Sequence, residues 1–160
     1  MTAAPAAFAA IFAALYAAHQ VGDHWVQTQH QAMTKGAAGW AGRLACARHV
    51  ASLTAVKAAA VAAVVAVLGL HVSVAAVAAG LAVDGASHYW ADRRTTLAAL
   101  AAALNGLAGK GEFYALGSPR PGHDDAPHLG TGAYALDQSW HTGWLFAAAL
   151  IAALGTSGVA

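Results

Sequence analysis

The stretch HVASLTAVKAAAVAAVVAVLGLHVSVAAVAAGLAVDGASHYWAD, His49–Asp92, decides how this chain folds. From Val50 to Val83 its only ionisable side chains are Lys57 and His71. A single helix over 49–83 would be roughly 50 Å long at 1.5 Å per residue, well beyond a hydrocarbon core of about 30 Å. Gly69-Leu70-His71 interrupts the run. The stretch therefore predicts two helices of spanning length, about 49–68 and 72–92, joined by a tight turn.

Outward from this centre, two further apolar stretches have the same character. The first carries Phe8, Ile11, Phe12, Leu15 and Tyr16 among alanines. Met1-Thr2-Ala3 offers no basic n-region for a signal peptide, so a retained helix is expected over about 3–27. The last runs over about 134–154. Leu97 to Leu107 is apolar but too short to span, and reads as an interfacial helix. Residues 105–132 are rich in Gly and Pro and read as a loop. The expectation is an all-α, polytopic membrane helical bundle, residues 1–160 forming one domain, with about four transmembrane helices and one short interfacial helix.

Composition points the same way. Charged residues make up 9% of the chain, against roughly 25% in ordinary soluble domains. A soluble alanine-rich bundle is the alternative, and that shortage of charge speaks against it. No basic stripe or tail exists to hold nucleic acid, so membrane lipid is the expected partner and nucleic acid is not. Cys46 is the single cysteine, which excludes an intramolecular disulfide and suggests a small buried apolar residue.

Four of the seven acidic residues belong to pairs with histidine at a spacing of four: His19/Asp23, Asp84/His88 extended to Asp92, and Asp137/His141. That spacing puts both members of a pair on one helix face. In an up-and-down four-span bundle, the end of span one, the start of span two, the end of span three and the start of span four share a side. His49 joins the set by that argument. Lys35, Arg43, Arg48, Arg93, Arg94, Lys110 and Arg120 fall on the same side, and the 69–71 turn has no Lys or Arg. The positive-inside rule makes this face cytoplasmic, in an inner (cytoplasmic) membrane, with both termini outside.

Neutral imidazole and carboxylate together suit Zn²⁺, Mn²⁺ or Fe²⁺. The candidate metal ligands are His19, Asp23, His49, Asp84, His88, Asp92, Asp137 and His141. They exceed the needs of one ion, so one or two ions are expected, with some members orienting others. Asp84, Asp92 and Asp137 are the candidates for ligand, bridge or catalytic base. The plainer explanation of any single pair is helix capping or interhelical hydrogen bonding, and Asp137 could start a helix. His24, His30, His71, His123 and His128 read as hydrated or loop histidines, and Lys57 as a snorkelling lysine. Trp25, Trp40, Trp90, Trp140 and Trp144 read as an aromatic belt at headgroup level. Ser87 beside His88 is a weak nucleophile arrangement.

HQVGDHWVQ at His19–Gln27, Lys35, RHV at Arg48–Val50, DGASHYWADRR at Asp84–Arg94 and LDQSWH at Leu136–His141 form one pattern. It resembles the DUF3307 family of small bacterial and phage-borne integral membrane proteins, and in broader outline the predicted membrane-bound metal-dependent hydrolases. His24 departs from the family's more usual aromatic, and the Gly/Pro loop is long. The resemblance implies membrane location and a shared polar site. The reading is a metal-dependent hydrolase at the cytoplasmic membrane face, acting on a lipid or phosphoester. The alternatives are a non-enzymatic membrane protein whose polar cluster holds its helices or a partner and, behind both, a metal or proton carrier.

Overall fold

Alanine loses least on entering a helix. The computed structural model, which describes residues 3–118 and 131–156, is all-α, with no β-strand among the described residues. α1 (Ala3–Val21) carries Pro5 in its first turn, where a missing N–H costs nothing. It continues into a π-helical segment, Gly22–Val26, that closes with Gln27 N–H donating to the Gly22 carbonyl at 2.9 Å. α2 (Gln29–Thr34) opens with a capping box between Thr28 and Gln31.

α3 (Gly39–Leu68) is 30 residues long and starts well before His49, where the apolar run begins. Residues 39–48 are themselves mostly helix formers, so nothing stops the helix there. The whole is ~45 Å long, about 15 Å more than a hydrocarbon core, and the surplus carries Arg43 and Arg48. Gly69, at φ +61°, ends α3 in the left-handed conformation that favours glycine. Ser73 then caps α4 (Val74–Asp92), so the expected break is present.

α5 (Thr95–Ala103) follows after Arg94. The segment expected as loop at 105–132 contains two short helices, α6 (Asn105–Ala108) and α7 (Lys110–Ala115), before α8 (Gly132–Leu154). Arg120, His123 and His128 lie outside the described residues.

The long helices form a closed ring in which α1 packs on α3 and α8, and α4 packs on the same two. Ile11, Leu15, Val61, Leu145 and Ala149 fill the centre. Small residues set the closest approach between α4 and α8. A Cβ on Gly80 would stand 2.5 Å from the Ala148 carbonyl oxygen, and backbone cannot step aside as a side chain can. Gly80→Ala should therefore force α4 and α8 apart, at a cost of about 1–3 kcal/mol. Gly85→Ala on the same helix meets only an ordinary contact, Thr54 Oγ1 at 3.4 Å, and should leave the thermal midpoint in detergent unchanged. Equal midpoints for the two variants would refute this account.

Among the described residues, two helices are long and apolar enough to cross a membrane: Ala4–Val26, and Gly39–Leu68 with mean hydropathy 2.1. Only 17% of the apolar window of Gly39–Leu68 is buried within the chain. α4 and α8 are less apolar, with Asp84, Ser87, His88 and Asp92 on α4 and Asp137, Gln138, Ser139, His141 and Thr142 on α8.

Candidate metal centre

The four long helices each bring one histidine to a common point. His19 is in the last turn of α1, His49 a third of the way along α3, His88 near the end of α4 and His141 in the first half of α8. All four are at most 1% exposed. The rings lie against one another. His88 stacks on His141 with centroids 4.0 Å apart, and His19 lies 5.5 Å from His88 and 5.2 Å from His141.

Two carboxylates enter this group. His49 Nε2 stands 2.9 Å from Asp23 Oδ1, 3.3 Å from Asp92 Oδ2 and 3.0 Å from His88 Nε2. His88 Nε2 stands 3.1 Å from Asp92 Oδ2 and 3.7 Å from Asp23 Oδ1. Around an ion with bonds of ~2.0–2.1 Å, neighbouring tetrahedral ligands lie ~3.3 Å apart. The five separations above, 2.9–3.7 Å, bracket that spacing.

The far oxygen of each carboxylate looks elsewhere. Asp23 Oδ2 is 3.6 Å from His19 Nε2, and Asp92 Oδ1 is 3.9 Å from His141 Nε2. Lys35, at the end of α2, donates to Asp92 Oδ1 at 2.9 Å. Lys35 is itself placed by Arg93, whose guanidinium donates to the Lys35 and Ala37 carbonyls at 2.5 and 2.6 Å.

His49 Nε2 and His88 Nε2 hydrogen-bond to each other at 3.0 Å, but four other atoms of the group are left over. His19 Nε2, His141 Nε2, Asp23 Oδ1 and Asp92 Oδ2 are buried with no hydrogen-bond partner among the described residues. Buried polar atoms left this way are costly and rare. Their clustering fits a bound cation, which each of them would ligate. Nδ1 of His19, His49 and His88 also lacks a partner, where metal-bound histidines usually have an outer carbonyl or carboxylate. The mutual packing of the rings holds their orientation instead. Among the described residues two groups of three have ligand atoms within 4.8 Å of one another and could hold an ion, Asp23/His49/His88 and His88/Asp92/His141, and His88 is common to both.

Asp137 lies at the edge, 30% exposed, with Oδ1 3.4 Å from His141 Nε2. It is not a helix cap, because Thr131 caps α8 and Asp137 sits in the helix proper. Asp84 stands apart from both groups. Its Oδ2 accepts from Lys57 Nζ at 2.7 Å, and the pair is sealed, with side-chain exposures of 2% and 0%. Lys57 is thus no snorkelling side chain. Ser87 Oγ accepts from Trp140 Nε1 at 2.9 Å rather than serving His88. Trp140 stacks on Trp90, while Trp25 and Trp40 are exposed. Cys46 is fully buried, as its composition-based reading expects.

A cavity of about 490 Å³ opens over the centre, lined by Asp23, Gln27, Lys35, Asp92, Arg94 and Asp137 among others. Spacing picks out the His/Asp pairs and topology adds His49, whereas Lys35 stands in the sequence as a loop charge and as one member of the DUF3307-like pattern, with no role at the centre. The π-helical turn that carries Asp23 also escapes a reading by spacing, although such turns mark functional sites in many helices. No family model, curated protein or solved structure matches this chain.

Proposed function

We propose that the chain is a membrane-embedded, metal-dependent hydrolase whose centre lies at the cytoplasmic face of a four-span bundle. The observation that carries this reading is the group of four histidines and two aspartates that converge inside the bundle, with His19 Nε2, His141 Nε2, Asp23 Oδ1 and Asp92 Oδ2 buried and unpartnered among the described residues. The donor set suits Zn²⁺, Mn²⁺ or Fe²⁺. His49 and His88 with Asp23 Oδ1 and Asp92 Oδ2 would hold one ion. His19 and His141 with the far oxygens of the same carboxylates would hold a second.

A bound ion of this kind supplies a water whose pKa is lowered to about 7 and polarises an ester or phosphoryl oxygen. Asp137, half-buried at the mouth and held only by 3.4 Å contacts to His141 Nε2 and the Gln138 amide, is the carboxylate placed to take a proton from such a water. Lys35 fixes Asp92, and Lys35 and Arg94 give the cavity its positive charge. Membrane location is supported by the apolar face of α3, which only lipid or another apolar partner would cover. The resemblance to the DUF3307 pattern and to membrane-bound hydrolases agrees with it. The cavity over the centre favours an open, reactive site over a closed structural one.

The test uses protein extracted from the membrane fraction and loaded with Zn²⁺ or Mn²⁺. It should hydrolyse members of a panel of phosphoesters and phospholipids. Asp137→Asn should lose turnover by about 10²–10⁴-fold while keeping its metal. A metal-loaded protein inert across the panel would make the centre structural, the non-enzymatic alternative.

A further inference from the structure

α8 shows two different faces over its first half. Tyr134, Asp137 and Gln138 line the polar cavity over the metal centre. Leu136, Ser139, Trp140, Gly143, Trp144 and Ala147, spaced three and four apart, line a second cavity of about 550 Å³. Its opposite wall is α5, through Leu97, Leu100 and Ala101, with Leu104 just past its end and Lys110 of α7 as the one charged side chain of the lining. Leu97 lines both cavities, so they adjoin. From Leu136 to Ala147 the apolar groove follows the helix for ~16 Å, about half of a ~30 Å hydrocarbon core. It starts beside Asp137 and runs along α8 away from the end that carries the centre.

Charge in the polar cavity depends on the ion. Lys35 and Arg94 face Asp23, Asp92 and Asp137, two positive charges against three negative, a balance of −1. One divalent ion turns this to +1 and two turn it to +3. With metal present the cavity attracts an anion, and Lys35, Arg94 and Gln27 supply several donors for a group with several oxygens. The Gln27 amide nitrogen is buried there without a partner among the described residues.

We infer that the two cavities form one site for a phosphate-bearing lipid, with the anionic headgroup in the polar cavity and an acyl chain in the groove between α5 and α8. This inference rests on the metal-centre reading and names the substrate class of that site. A soluble phosphoester would leave the groove unused, and a zwitterionic lipid would gain little from the cavity's charge.

The probe is phosphatidic acid brominated on its acyl chains, titrated into full-length protein in phosphatidylcholine nanodiscs, with tryptophan fluorescence as readout. Saturable quenching is expected, and Trp144→Phe should remove much of it. Stripping the metal with a chelator should weaken binding about tenfold or more. Gly143→Leu should do the same while leaving metal content unchanged. A Cβ at Gly143 meets nothing within 4 Å, so the new side chain fills the groove without disturbing the bundle.

Equal quenching by brominated phosphatidylcholine would show ordinary boundary lipid and overturn the inference. So would displacement by inorganic phosphate that is indifferent to Gly143→Leu. Selective binding without turnover would leave this inference standing and sink the hydrolase. Turnover of a soluble phosphoester without quenching would do the reverse.

Discussion

Protein purified in mild detergent should carry stoichiometric zinc or manganese, and His88→Ala should lose it, with affinity down at least about 100-fold. His88 has this effect because it belongs to both candidate ligand groups, and its Nε2 lies within 3.1 Å of both His49 Nε2 and Asp92 Oδ2. Altering even an outer partner of a metal ligand typically costs 10- to 100-fold, so a shared ligand should cost no less. Elemental analysis checks the result, with His24→Ala as control. His24 is exposed and hydrogen-bonds through Nδ1 to the Gln20 carbonyl, so its loss should leave metal content unchanged. Because the two candidate groups draw on α3, α4, α8 and the π-helical turn after α1, a bound ion would also tie the bundle. A chelator should lower the thermal midpoint of the wild type and leave that of His88→Ala unmoved. Wild-type protein that carries no metal would end the proposal.

Lys57→Met should be among the most destabilising single changes in the chain, by about 3–5 kcal/mol, because it strands the Asp84 carboxylate in the bundle. The double variant Lys57→Met/Asp84→Leu should recover most of the loss, since apolar replacements of both partners remove the stranded charge. Cys46 offers the readout. It is the single cysteine and fully buried, so its alkylation rate in detergent reports opening of the bundle. The double variant should also keep its metal, because Asp84 belongs to neither ligand group. Loss of metal in the folded double variant would restore Asp84 to the centre.

The two variants separate what spacing made legible from what it did not. Asp84 and His88 share a helix face by period alone, and from that face alone both read as ligands. What divides them is Lys57 on α3, which takes Asp84 for itself one turn from His88. The same limit applies to Asp23. Its place four residues after His19 implied a pair on a regular α-helix, whereas a π-helical turn carries it, with its other oxygen 2.9 Å from His49. In the sequence Lys35 is a loop charge and one member of a motif pattern, and its contact with Asp92 needs Arg93 and the connection from α2 to α3.

Local chemistry written into the chain determined the helices, the Gly69 break and the faces that carry His and Asp, because propensity and period act over a few residues. Among the described residues two helices show enough apolar length to cross a membrane, and that too is a property of composition. Tertiary structure alone decided which of the spaced residues meet, which carboxylate is neutralised by a lysine, and where a cavity opens. Those outcomes depend on interhelical contacts as close as Gly80 against Ala148, between residues far apart in the chain. No pattern within a single helix encodes them.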